Sequence, residues 1–316
     1  MNTYKPEGRL ISSVQNHEYT SSLPMLERAM DEGKILEATV LLCDSDLSLH
    51  VDLGGISGII AREDALWCRE GEVLKDIAVI SRVGKPVCFK VTEIRSENGK
   101  PVAILSRRLA QLECMRNYLS LLNAGDIIPA TVTHMENFGA FVDIGCGISS
   151  LLSVDCISVS RISHPSDRLC VGDKIHTVVK SIDRDSGRIF VSMRELLGTW
   201  EENAAEFEAG QTVAGIVRSI ESYGVFIELA PNLAGLAEIR ENTRDTQIAV
   251  VGEYVAVYIK SIIPERMKIK LVMIDSYKGN LPPNTLKYFI DTAHTSHIDR
   301  WRYSPEGSRK LIESVF

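Results

Sequence analysis

The sequence predicts an all-β protein: three tandem five-stranded barrels joined by short helices, with a small helical C-terminal tail. Three observations predict it. One string recurs three times, as Gly33-Lys34-Ile35-Leu36-Glu37-Ala38-Thr39-Val40, as Gly125-Asp126-Ile127-Ile128-Pro129-Ala130-Thr131-Val132 and as Gly210-Gln211-Thr212-Val213-Ala214-Gly215-Ile216-Val217. Each copy carries two further anchors in the same order. The first is Val51-Asp52-Leu53-Gly54, then Phe141-Val142-Asp143-Ile144-Gly145, then Phe226-Ile227-Glu228-Leu229; the second is Val83-Gly84, Val171-Gly172 and Val251-Gly252. The period of roughly 80 to 90 residues exceeds that of solenoid units, so each copy reads as its own small domain. Apolar and polar residues alternate within the copies, as in Ala130-Thr131-Val132-Thr133, which is the period of a strand with one face buried. Finally, no copy holds a helix long enough to cover a sheet face, so closure into a barrel is the way to protect the strand edges.

The elements follow in order. Residues 1–32 form a leader, with a helix from Pro24 to Glu32, Ser22 as its cap and Gly33 as its stop. Barrel 1 spans 33–108 and carries the hairpin signal Asn98-Gly99. A helical linker at 109–122 belongs to a pattern from Ser106 to Leu122 that sets Leu109, Leu112, Leu119 and Leu122 on one face. Barrel 2 spans 123–194, with a hairpin at Asp185-Ser186-Gly187. The linker at 195–209 repeats the helical pattern over Met193–Ala209 with Leu196, Leu197, Trp200, Ala204 and Phe207. Barrel 3 spans 210–275. In the tail, 276–316, Leu281-Pro282-Pro283-Asn284 breaks the chain, Thr285 to Thr292 reads as helix, and Ser304-Pro305 reads as a helix start. Its aromatic residues Tyr288, Phe289, Trp301, Tyr303 and Phe316 are expected to dock on the third barrel.

Composition excludes several classes. A 316-residue chain with 45% hydrophobic and 24% charged residues is that of a folded globular protein of two to three domains. No apolar run approaches the roughly 18 to 20 residues that span a bilayer. The start, MNTYKPEGRL, lacks a signal-peptide layout. Seven cysteines without a CxxC pair argue against a disulfide framework or zinc site and fit the cytoplasm, as small buried hydrophobes. There is no P-loop, GxSxG or HExxH, so no catalytic residue, metal or cofactor is expected. His294 and His297 lie three apart, but a surface or capping role is the reading, since no third ligand is near. The net charge of −7 at pH 7 means that any nucleic-acid site must be a local basic and aromatic patch in which stacking carries much of the affinity.

The recurring strings resemble the S1 domain, the oligonucleotide-binding-fold repeat of the bacterial ribosomal protein S1-like family. The second copy is nearest, with Gly125-Asp126, Asn137-Phe138-Gly139-Ala140-Phe141-Val142-Asp143, Val171-Gly172-Asp173, Ser181-Ile182-Asp183-Arg184 and Val191-Ser192-Met193. The third follows with Ser222-Tyr223-Gly224-Val225-Phe226-Ile227, and the first is divergent but ends on Leu105-Ser106-Arg107-Arg108. The resemblance covers about residues 24–275. It implies an RNA site on one barrel face: two aromatics on the second strand, a histidine on the third, and an acidic and a basic residue near the last hairpin. Those positions hold Phe138, Phe141, Ser153, Asp183 and Arg188 in copy two. In copy three they hold Tyr223, Phe226, Glu238, Ile263 and Lys268, and in copy one Leu47, His50, Ala61, Arg95 and Lys100. No copy keeps the histidine, Glu238 would repel phosphate, and copy one has lost both aromatics.

The residues themselves leave alternatives. Phe138 and Phe141 lie three apart, which in a regular strand places them on opposite faces, one in the core; a bulge or bend at Gly139 turns both to one side. Tyr223 and Phe226 around Gly224 pose the same question. Arg188 either forks onto a phosphate or pairs with Asp183 or Asp185, and Asp183 orients a ribose hydroxyl or Arg188. The resemblance implies a non-enzymatic, cytoplasmic protein that binds single-stranded RNA, mRNA in particular, through barrel 2, with barrel 3 as a second candidate. Barrel 1 and the leader then contact small ribosomal subunit proteins. A protein–protein adaptor with degenerate barrels and an RNA-processing cofactor are the competing readings.

Overall fold

The computed structural model describes residues 4–69, 71–238, 250–277 and 286–316. The chain gathers into two compact units: Met1–Leu122 with Pro129–Thr131 and Asp143–Ser149, and Asn123–Ile128, Val132–Val142 and Ser150–Phe316.

In the first unit the leader forms two helices, α1 (Val14–Thr20), which the sequence did not signal, and α2 (Leu23–Asp31). Ser13 caps α1 by accepting from the Asn16 N–H. Ser22 stands at the N-cap of α2, but its hydroxyl makes no capping bond; Pro24 fixes the first turn and Gly33 ends the helix in the left-handed region. Strands β1 (Leu36–Cys43), β2 (Leu49–Leu53), β3 (Ile56–Ile60), β4 (Pro86–Glu97) and β5 (Lys100–Ser106) close in the order β1-β2-β3-β5-β4, with β3 and β5 parallel. Short helix α3 (Asp76–Ile80) lies between β3 and β4. Leu26 and Ala29 of α2 join Leu36, Val40, Leu49, Leu53, Val87, Phe89 and Leu105 in the core.

The leader is held by two buried carboxylates. The Gly8, Leu10 and Ile11 N–H groups all donate to Glu37 Oε2, at 3.1, 3.0 and 2.9 Å. Burial pushes the Glu37 carboxyl up to about 7, against the pull of the Leu10 N–H. Glu7 takes a two-pronged ion pair from Arg107, at 2.7 and 3.0 Å. Burial alone would raise the Glu7 carboxyl, but the Arg107 charge and hydrogen bonds outweigh it and hold it below its ordinary value.

Arg107 opens helix α4 (Arg107–Asn117), and here the expected face is wrong. Arg107, Ala110, Gln111 and Cys114 are buried, whereas Leu109 and Leu112 are half-buried. The helix is turned by its polar needs: Arg107 reaches Glu7 and Gln111 donates to the Cys146 carbonyl at 2.9 Å.

Strands β6 (Ile127–Glu136), β7 (Gly139–Asp143), β8 (Ser149–Ser153), β9 (Lys174–Asp183) and β10 (Arg188–Ser192) form a second closed barrel. A third closes from β11 (Thr212–Glu221), β12 (Gly224–Ala230), β13 (Leu233–Glu238), β14 (Tyr254–Ile263) and β15 (Lys268–Tyr277). In each the third strand runs parallel to the fifth, as in the first barrel. The second linker is not one helix. A 3-10 turn at Arg194–Leu197 and the short α5 (Trp200–Ala204) are separated by Gly198 at φ +84. The apolar residues are still inward: Leu196, Leu197, Trp200 and Ala204 are buried.

Barrel 3 is tied to the loop between β8 and β9 of barrel 2 by a buried ionic cluster. Arg168 grips both oxygens of Glu228 at 2.6 Å, Arg218 adds a 2.7 Å bond, and their side chains are 2%, 0% and 8% exposed.

The tail corrects the sequence reading. The expected helices at Thr285–Thr292 and after Ser304 do not form among the described residues; 286–292 is irregular, while Leu281–Asn284 and Thr285 lie outside the described residues. Instead β16 (Arg300–Arg302) and β17 (Glu313–Val315) make a two-stranded sheet. Side-chain anchoring replaces helix formation: Trp301 and Tyr303 enter the barrel 3 core, and the Tyr303 hydroxyl donates to the Asn232 carbonyl at 2.6 Å. Ser304, instead of capping a helix, accepts from the Ile312 N–H at 2.9 Å.

The tail also lies along the start of barrel 2, where the Ile127 N–H donates to the Ser296 carbonyl and the Ile298 N–H to the Gly125 carbonyl. Gly125 has φ +92, and a Cβ there would stand 2.3 Å from the Ile298 oxygen. Gly125→Ala is therefore expected to displace residues 296–298; the left-handed backbone alone costs about 1 to 3 kcal/mol. Hydrogen-exchange protection of the Ile127 and Ile298 amides, lost in the variant, checks it.

His297 pairs with Asp126 at 2.7 Å and His294 with Asp291, within the tail, at 2.6 Å. The Asp126 carboxylate raises the His297 pKa above its ordinary value. A raised imidazole pKa adds stability in full below the unfolded value near 6.5, and that stability is lost as pH rises through the folded value. Exchange protection at Ile298 should accordingly fall as pH rises above about 6.5, and His297→Gln should remove that pH dependence once intrinsic exchange rates are divided out.

Candidate nucleic-acid interface

In barrel 2 Ala140 and Val142 of β7 point into the core and are fully buried, which leaves Phe141 on the outer side. Phe138 lies in the turn before β7, outside the strand's alternation, and is 55% exposed. Both rings therefore stand on the outer face, in edge contact at 6.0 Å with planes at 90°. Gly139 permits a close approach of the next strand: a Cβ there would stand 2.5 Å from the Leu152 oxygen and 2.9 Å from the Ser153 Cα. The same contact sets Ser153 beside the ring pair. On the other flank the His134 imidazole stacks on Phe141 at 6.2 Å and 19°. The Thr133 hydroxyl donates to the Phe141 carbonyl, fixing the hairpin.

The last hairpin brings the charged positions. Asp183 and Arg188 are cross-strand partners at the ends of β9 and β10. Asp183 is spent on the turn: it accepts from the Asp185 and Ser186 N–H groups at 3.1 and 3.3 Å and from the Ser186 hydroxyl. The Ser186 hydroxyl holds its carboxyl below the ordinary value. Arg188 is exposed and has no carboxylate within 4 Å among the described residues, so its guanidinium is open to a ligand. Two residues on, Phe190 shares the outward side of β10 and pairs with Leu151 of β8. His134 and Phe190 were missed by sequence reasoning. The alternation from Arg188 points to Phe190; the His134 stack depends on hairpin register and carries no signal.

Barrel 3 repeats the arrangement. Tyr223, 57% exposed, meets Phe226 at 6.1 Å and 89°. Phe226 pairs with Leu236, and Leu236 with Lys270, so Lys270 stands on the row of the inner ring. Lys268 pairs with Ile263 as Arg188 does with Asp183, which settles its register. Glu238 lies opposite Gly224, where Ser153 lies beside Gly139, and Lys270 Nζ comes within 4.0 Å of its carboxylate. At that distance and exposure the cation offsets only part of the repulsion expected from Glu238.

Barrel 1 does not assemble the set. Leu47 occupies a left-handed turn position, and His50 is held by Asp44 at 2.8 Å. Arg95 stands opposite Val102 and pairs with Glu93, while Lys100 stands opposite Glu97, so the two are not equivalent to an acid–base pair across a hairpin. Ala61 caps the 3-10 turn Arg62–Asp64, whose Arg62 pairs with Asp76.

A closed five-stranded barrel with paired outward rings after the first hairpin is the architecture of an S1-domain protein. The family model described as "S1 RNA binding domain" matches residues 121–194, the second barrel. Small ribosomal subunit protein bS1 of Staphylococcus haemolyticus is 30% identical over 302 residues, covering 92% of this chain and 73% of the relative. Those of Staphylococcus aureus strain COL and Staphylococcus epidermidis are 29% and 30% identical, over 90% and 87% of this chain and 73% and 69% of theirs. The chain belongs to the bS1 family of small ribosomal subunit proteins.

Proposed function

We propose that this protein is a cytoplasmic RNA-binding protein of translation that holds single-stranded RNA, mRNA in particular, on the outer faces of barrels 2 and 3. One observation carries the reading: the same exposed ring pair, at the same distance and angle, recurs on both barrels beside an exposed cation that opens the last strand. Rings offer every base a π-face, so such pairs bind without strong base preference, and Arg188, Lys268 and Lys270 supply phosphate contacts. In barrel 2, Ser153 flanks the stack and Asp183 holds the hairpin that aims Arg188. The family membership and the printed name of its relatives support a partner on the small ribosomal subunit.

Barrel 1 and the leader are the protein-contacting part. Leu41 and Leu42 of β1 and Ile77, Ile80 and Val83 around α3 are exposed, and Gly84 ties that segment to β1 through the Val40 carbonyl. Such a patch fits a protein surface better than RNA. The test is fluorescence anisotropy with a short labelled single-stranded RNA at low and physiological salt. Binding that falls steeply with salt is expected; no binding at low salt would leave the adaptor reading, which the net charge of −7 favours.

A further inference from the structure

We infer that the C-terminal tail is part of the RNA track: with the last hairpin of barrel 3 it forms a phosphate-binding cleft for the strand leaving the Tyr223–Phe226 site. This rests on the RNA-binding reading above and adds a segment that the S1 domain itself does not contain.

A cleft of about 300 Å³ is lined by Glu265, Arg266, Lys268, Ser308, Arg309 and Lys310. Four cations thus face one carboxylate, in a chain whose net charge is −7. Among the described residues none of the four has a carboxylate within 4 Å. Four cations facing one carboxylate repel one another, so the backbone must hold them there. Two structures do so. The turn between β14 and β15 is a 3-10 turn, Pro264–Arg266, ended by Met267 at φ +47, and it presents Arg266 and Lys268. On the tail side the Ser304 hydroxyl donates to the Lys310 carbonyl at 2.7 Å, and the neighbouring Tyr303 is buried in the barrel 3 core. The tail turn is thereby fixed in place while Arg309 and Lys310 remain exposed.

The cleft continues the ring site. Lys270 stands on the row of Phe226, and Lys268, two residues earlier on the same strand face, is about 7 Å further along β15. The next cations are Arg266 and the tail pair. A line of cations starting at a stacking platform fits a polyanionic strand that has left its last stacked base. An acidic peptide would have no use for the rings at its origin.

The experiment compares wild type with Arg309→Ala/Lys310→Ala on labelled U30, with Kd measured from about 50 to 200 mM salt. Both side chains are exposed, and Trp301 fluorescence reports that the tail stays docked. Two lost phosphate contacts should flatten the slope of log Kd on log salt by about 1.4. A 4-thiouridine-labelled strand should cross-link to the peptide containing Ser308–Lys310. Wild-type binding with an unchanged slope and no tail cross-link overturns this inference and leaves the barrel sites standing. No wild-type binding to U30, or binding of polyglutamate through Arg309 and Lys310 instead, overturns both.

Discussion

Glu228→Ala should destabilise barrel 3 by about 3 to 5 kcal/mol, read as a lower urea midpoint and lost amide protection in β11 and β12. The substitution leaves Arg168 and Arg218 buried with their shared partner gone, and Asp167, 3.5 Å from Arg218, is the remaining counter-charge. A buried pair is not worth that sum in itself, because both ions were desolvated to make it. The cost lies in the orphaned charges. Replacing the cluster together, Arg168→Met/Glu228→Leu/Arg218→Met, should recover most of the loss. If the single variant costs less than about 1 kcal/mol, the cluster is hydrated and this account of it fails. Because Arg168 lies between β8 and β9 of barrel 2, Glu228→Ala should also weaken any RNA contact that uses barrels 2 and 3 together.

Phe138→Ala/Phe141→Ala should weaken single-stranded RNA binding by roughly 30-fold or more. Each base–ring stack contributes about 1 to 3 kcal/mol, so two rings contribute about 2 to 6, and each 1.4 kcal/mol is tenfold. The salt slope should hardly change, since no phosphate contact is removed; Arg188→Ala should do the opposite and lower the slope by about 0.7. That contrast separates lost stacking from general damage. Phe138 is 55% exposed, so its truncation leaves the barrel core, formed inward by Ala140 and Val142, in place. The equivalent Tyr223→Ala/Phe226→Ala pair should cost less, because Glu238 beside it already weakens the local field despite Lys270. An undiminished affinity in the barrel 2 variant would move the site elsewhere.

The local, repeated features are legible in the sequence. Gly33, Gly125 and Gly210 all sit at positive φ before a first strand, so the repeat is visible because backbone geometry demands it at the same place three times. Strand alternation and the Asn98-Gly99 turn are equally local. Features that depend on long-range partners emerge only in the fold. The face that α4 buries was set by Glu7 and the Cys146 carbonyl, far away in sequence, and not by its leucines. The tail, aromatic and proline-punctuated, reads as helix only until Trp301 and Tyr303 find the barrel 3 core, whose burial outweighs local propensity. The ring pairs lay between these cases. Their positions were legible, but their shared face came from Phe138 and Tyr223 standing in turns, with a glycine letting the next strand close in. His134, Phe190, Lys270 and the tail cations joined them only through register and docking, which pair residues by space and leave no period in the sequence.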